Sequence, residues 1–133
     1  NNVQVTDIAD GSALCVYDST VTVSNSIFSG GTDAGVEIYD SWLPGTPKLT
    51  MSSSTIEGYY YTGVGIYGGQ AVLNGVKITG NGDGINIYSG TGHTVSSVKI
   101  SQSSIFDNAD MGIFNFCDDG FVADAPATFG PSP

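Results

Sequence analysis

Thirteen carboxylates, three lysines and no arginine are the material for chemistry in this chain of 133 residues. A pair of carboxylates hydrolyses glycosides when the two stand about 5–9.5 Å apart. Asp83 and Asp110 sit in similar turn-like contexts, NGDGI and NADMGI, and are the best such pair. Turn chemistry accounts for both equally well, because Asp favours these positions. Asn81, Asp83, Asp107 and Asp110 could supply oxygen ligands to one surface calcium ion. No Cys/His set suits zinc. Trp42, in the Pro/Gly loop DSWLPGTPK, and the consecutive Tyr59, Tyr60 and Tyr61 are the aromatic candidates for a binding surface. Their flat apolar faces and polar tips suit sugar rings or a protein partner. Alternatively they fold over strand edges and shield them. The value of each candidate depends on which segments the fold brings together.

The positioning elements are repeats. VTVSNSIFSGGTDAGVEIY, residues 21–39, returns 28 residues later as LTMSSSTIEGYYYTGVGIY, residues 49–67. AVLNGVKITGNGDGINIY (71–88) and VKISQSSIFDNADMGIFNF (98–116) are further copies, and VQVTDIADGSALCVY (3–17) is a worn first one. Each opens on a short alternating run and passes a Ser/Asn/Gly corner with one or two apolar residues. A Gly-rich turn and a second alternating run close it. Period-two alternation predicts strands with one buried face. Copies this small cannot bury that face alone, so they must stack.

This grammar, xVxVxxSxI…GVxIY over about residues 3 to 117, resembles the right-handed parallel β-helix, the pectate-lyase-like solenoid. The expected fold is all-β, a solenoid of about five coils over 1–117 with 118–133 as terminal cap or exit segment. Stacking predicts three columns. Leu14, Val36, Val64, Ile85 and Ile113 form one, and Val16, Ile38, Ile66 and Ile87, broken at Asn115, a second. Tyr17, Tyr39, Tyr67, Tyr88 and Phe116 form an aromatic ladder, structural first. Gly35, Gly63, Gly84 and Gly112 recur before one strand, where a positive φ or a tight approach is expected. Cys15 and Cys117 would lie four steps, ~19 Å, apart along the axis, whereas a disulfide needs Cα atoms within about 7 Å. The thiols are therefore free, or they pair between molecules in a head-to-tail filament.

The resemblance is specific for fold and not for activity. Lyases of this type draw on a basic residue, commonly with calcium. Here Lys48, Lys77 and Lys99 are scattered, with Lys77 and Lys99 at outward positions. Polygalacturonase-like members cluster Asp with His and basic residues, and Asp118–Asp119 and the lone Gly92–His93 dipeptide echo that set without the basic partners that bind a uronate. No residue is assigned a catalytic role, and no cofactor is expected beyond the weakly supported calcium. A formal charge of −10 argues against nucleic acid and against an anionic membrane surface. No apolar run reaches the 18 or so residues of a membrane span. Asn at position 1 suggests a processed chain or an excerpt.

The expectation is an extracellular or cell-surface structural or adhesive module. Its first expected partner is itself, end to end, because open solenoid ends are unpaired strand edges. A glycan contacted through Trp42 and Tyr59 to Tyr61 is the second. The alternatives are an enzyme, or part of one, acting on acidic polysaccharide, and a phage tail fibre piece.

Overall fold

Short apolar–polar alternation, interrupted every few residues by turn formers, leaves this backbone one economical solution: strands that pair with their own copies in the next repeat. In the computed structural model, residues 2–40, 45–88, 96–116 and 128–129 are described. The first coil contributes β1 (Gln4–Ile8) and β2 (Leu14–Tyr17). The second holds β3 (Thr20–Ser24), β4 (Ile27–Gly31) and β5 (Ala34–Tyr39). The third holds β6 (Lys48–Ser52), β7 (Thr55–Tyr59) and β8 (Thr62–Tyr67), and the fourth β9 (Gln70–Asn74), β10 (Lys77–Thr79) and β11 (Asp83–Tyr88). The fifth holds β12 (Ser97–Ser101), β13 (Ser104–Phe106) and β14 (Ile113–Phe116), and a short β15 (Thr128–Phe129) follows. Every pairing is parallel and links one coil to the next. The result is three sheets, ordered β1-β4-β7-β10-β13-β15, β14-β11-β8-β5-β2 and β12-β9-β6-β3. The chain is an all-β parallel β-helix, as the repeat predicts.

The three predicted columns are in register. Leu14 pairs with Val36, Val36 with Val64, Val64 with Ile85 and Ile85 with Ile113. Val16, Ile38, Ile66 and Ile87 align two residues on, and Asn115 ends that column. The repeat has one more strand per coil than the two alternating runs suggest. The middle strand carries the column Val5, Phe28, Ile56, Ile78 and Ile105. With the third sheet's Leu49, Met51, Leu73 and Ile100, these side chains fill the interior. Each full burial is worth about 1.5–3 kcal/mol, so the apolar columns dominate the stability of the stack.

Polar ladders hold the corners. Ser26, Ser54 and Ser103 are buried, and each hydroxyl donates to the carbonyl two residues earlier. The same oxygens accept an N–H from the preceding coil: Val3 to Ser26, Ser26 to Ser54 and Val76 to Ser103. A second ladder uses Asn81 and Asn108. Asn81 Oδ1 accepts the Tyr59 N–H at 3.0 Å, and Asn81 Nδ2 donates to Asn108 Oδ1 at 3.0 Å. At the adjoining bend Gly30, Gly58 and Gly80 take φ of 74°, 75° and 66°, values in the left-handed region where a Cβ is penalised.

Gly35, Gly63 and Gly84 serve the other of the two expected purposes, whereas Gly112, where a new Cβ would meet nothing nearer than Ile105 Cγ2 at 3.9 Å, serves neither. None is in the left-handed region. A Cβ at Gly63 would lie 2.7 Å from the Gly84 carbonyl oxygen, and one at Gly84 would collide with the Gly112 carbonyl. Close approach of one coil to the next excludes a side chain there.

Candidate functional site

Where the first sheet bends into the second, four consecutive turns lie side by side and enclose a groove of about 870 Å³. The turn between β7 and β8 carries Tyr60 and Tyr61. Their rings meet edge to face with centroids 4.9 Å apart, and they are 73% and 61% exposed. Backbone bonds clamp this turn from both sides. Tyr60 donates to the Gly31 carbonyl at 2.9 Å and Tyr61 to that of Asp33 at 3.3 Å, while Gly82 donates to the Tyr59 carbonyl at 2.9 Å. Gly82 permits that packing, because a Cβ would run into the carbonyls of Tyr60 and Tyr61. The two exposed rings are thus presented by a fixed backbone.

Tyr59 differs from its two neighbours. It is 1% exposed, and its ring lies over Gly31, where a Cβ would stand 2.7 Å from Cε1. The consecutive tyrosines therefore split, with Tyr59 inside and Tyr60 and Tyr61 outside. Tyr59 is withdrawn from the binding surface expected of it. Burial raises its phenol pKa, and its hydroxyl oxygen has no hydrogen-bond partner among the described residues.

Four carboxylates, those of Asp33, Glu37, Asp83 and Asp110, line the groove with Tyr60, Tyr61, Tyr67, Tyr88 and Asn86, and no Lys lines it among the described residues. Asp83 is tightly held, accepting the Met111 N–H at 3.1 Å and the Asn86 amide at 3.0 Å. The same Asn86 nitrogen donates to Thr62 Oγ1 at 2.9 Å. Glu37 accepts the hydroxyls of Ser12 at 2.5 Å and Tyr39 at 2.9 Å. Tyr67 and Tyr88, from the aromatic ladder, form one wall. Tyr17–Tyr39, Tyr39–Tyr67 and Tyr67–Tyr88 stack with centroids 5.3, 4.7 and 5.0 Å apart and nearly parallel planes. Stacked in this way, the inner rings cover one another's faces and offer the groove only edges and hydroxyls. Burial, then the negative charge of Glu37, pushes the Tyr67 phenol up to about 12. Burial and the bond to Glu37 push Tyr39 higher still. Both hydroxyls stay protonated donors at neutral pH.

The groove draws Asp83 and Asp110 together, as their equivalent turns predict. The calcium set loses Asn81, which is 2% exposed and spends its amide within the ladder. Among the described residues no group of three or more His, Cys, Asp or Glu is arranged to hold a metal. Cys15 is a free, exposed thiol on β2, paired in register with Glu37. Burial and the Glu37 carboxylate raise its pKa, against a lowering hydrogen bond with Ser12. Trp42, His93, Cys117, Asp118 and Asp119 lie outside the described residues, and with them the proposed Cys15–Cys117 pairing.

A family model described as the right-handed β-helix region matches residues 1–123. The chain belongs to the right-handed β-helix family. No curated protein and no solved structure gives a match. Within this β-helix, Asp33, Glu37 and Asn86 are the groove residues that the repeat did not single out. They were legible in principle. Cys15, Glu37, Gly65, Asn86 and Phe114 form the outward column beside the tyrosines, and reading outward positions as closely as inward ones would have found it.

Proposed function

We propose that this β-helix is a non-catalytic, surface-displayed module that binds a polysaccharide segment in the groove beside Tyr60 and Tyr61. The observation that carries this reading is the pair of exposed rings on a turn clamped by both neighbouring coils. A rigid aromatic platform meets a sugar face without losing conformational entropy on binding, which favours affinity. The carboxylates and phenols beside it supply acceptors and donors for sugar hydroxyls. The four acidic side chains argue against a uronate-rich ligand, since like charges at that range repel.

The test is titration calorimetry against a panel of neutral, cationic and anionic oligosaccharides. Replacing Tyr60 or Tyr61 with Ala is expected to weaken binding about 5–30-fold, the range of an aromatic hot spot. Binding unchanged in both variants contradicts the proposal. Release of reducing ends that Asp83→Asn abolishes would favour the enzymatic alternative on the same groove.

A second reading, end-to-end self-association, draws on a separate observation. Val5 and Leu14 at the first coil and Val21 at the second are only partly buried, and among the described residues β1, β2 and β3 each keep one edge without a strand. Light scattering over a concentration series tests it. Growth of mass with concentration is expected, and a constant monomer mass contradicts it.

A further inference from the structure

The groove has one polar atom that its own fold does not satisfy. Asn86 is 5% exposed, yet its Oδ1 has no hydrogen-bond partner among the described residues. The orientation of the amide is set by its other end, because Nδ2 donates to both Thr62 Oγ1 and Asp83 Oδ2. Turning the amide over would point an oxygen at a carboxylate. Oδ1 is therefore a fixed acceptor, and an acceptor left bare in a protein interior is costly. It needs a donor from outside the chain.

The neighbourhood says what kind of donor. Asp83 lies beside it, Glu37 is two coils below in the same outward column, and Asp33 and Asp110 complete the lining. Lys77, one of three lysines, is engaged elsewhere, 3.9 Å from Glu57. A sugar hydroxyl offers one hydrogen and no charge. A primary ammonium offers three hydrogens and a full positive charge. It can serve Oδ1 and a carboxylate together through charge-assisted bonds.

Resting on the polysaccharide reading above, we propose that the ligand is an amino-sugar glycan, with an unacetylated glucosamine-type ammonium seated against Asn86 Oδ1 and Asp83. Acetylation at that nitrogen removes the charge and adds a methyl and a carbonyl in a space walled by carboxylates. A 2-hydroxyl in its place leaves the acidic lining without a counter-charge.

Three tetrasaccharides with the same β-1,4 backbone differ only at this substituent: the glucosamine tetramer, its N-acetylated form and cellotetraose. Calorimetry on the full chain should give the glucosamine tetramer roughly tenfold or greater preference over both others, shrinking as salt is raised. The preference should collapse to within about twofold in Asp83→Asn. Asn86→Leu is the second variant, with circular dichroism confirming the fold, and Glu37→Gln serves if Asn86→Leu does not fold. Equal binding of cellotetraose overturns the ammonium assignment and leaves the polysaccharide reading standing. So does binding of some other neutral glycan when none of the three binds. Binding that requires added calcium and is abolished by chelator also overturns it, in favour of a metal. If nothing in the wider panel binds, both readings fail.

Discussion

The third and fourth coils and the two ends of the stack are written in the same repeat, yet they are different material. Val64, Ile66, Leu73, Ile78, Ile85 and Ile87 are completely buried. Their column-mates Val5, Leu14 and Ile113 at the ends are only partly covered, and Asn115 takes an exposed place where the coil below has Ile87. The polar ladder behaves in the same way: Asn81 is buried and Asn108, one rung on, is half-buried. A rung of this solenoid obtains half its burial from each neighbour, so identical residues carry different weight according to position. The groove is built mainly on the well-packed middle, where its turns hold the two exposed tyrosines still.

The largest effect should separate middle from end. Ile66→Ala is expected to cost about 2–5 kcal/mol in a denaturant titration, whereas Ile113→Ala should cost less than half as much. Equal costs would erase the distinction. The glycine column sharpens it further. Gly84→Ala drives a Cβ into the Gly112 carbonyl and should cost at least about 1–3 kcal/mol. At Gly112 the nearest atom to a new Cβ is Ile105 Cγ2 at 3.9 Å, so Ala there should be close to neutral.

How much of this was readable beforehand follows from how far each feature depends on neighbours. The inward columns were legible, because alternation and the 28-residue return fix both the face and the partner. The middle strand was not. Lys77–Thr79 has a single inward residue, Ile78, and one residue has no period to display. Tyr59 could not be told from Tyr60 and Tyr61 by type. Its burial is decided by Gly31, the residue it pairs with in the coil below, which leaves room for a ring. The groove was half legible: Asp83 and Asp110 stood out as turn carboxylates, while Asn86 and Glu37 looked like ordinary outward positions.

Smaller effects belong to the outer face. Tyr67 stacks on two rings and Tyr17 on one, so Tyr67→Leu should lose about 0.5–1.5 kcal/mol more than Tyr17→Leu. The ladder also sets an alkaline limit. The Tyr67 phenol ionises near 10 when unfolded and at about 12 when folded. The folded chain therefore holds its proton over that interval while the unfolded chain has lost it. Stability from this group is complete below about pH 10 and is lost as pH rises towards 12. Denaturant midpoints measured across that window should fall, and fall less in Tyr67→Phe. The smallest expected change is at Cys15. Its raised pKa leaves little thiolate at neutral pH, and Glu37→Gln should speed its reaction with a thiol reagent several-fold.

All of these positions follow from register, since Tyr60, Tyr61, Asp83 and Asp110 reach one groove only if successive coils stack like over like. The direct test is a cysteine pair at the register partners Thr22 and Thr50, in a chain with Cys15 and Cys117 changed to Ser. Adjacent parallel strands place such Cα atoms about 4.8 Å apart, within disulfide range. Thr22→Cys with Thr50→Cys should close within the monomer under mild oxidation, and Thr22→Cys with Lys99→Cys, three rungs away, should not. Failure of the first pair to close, or equal closure of the second, contradicts the stacked register on which the groove depends.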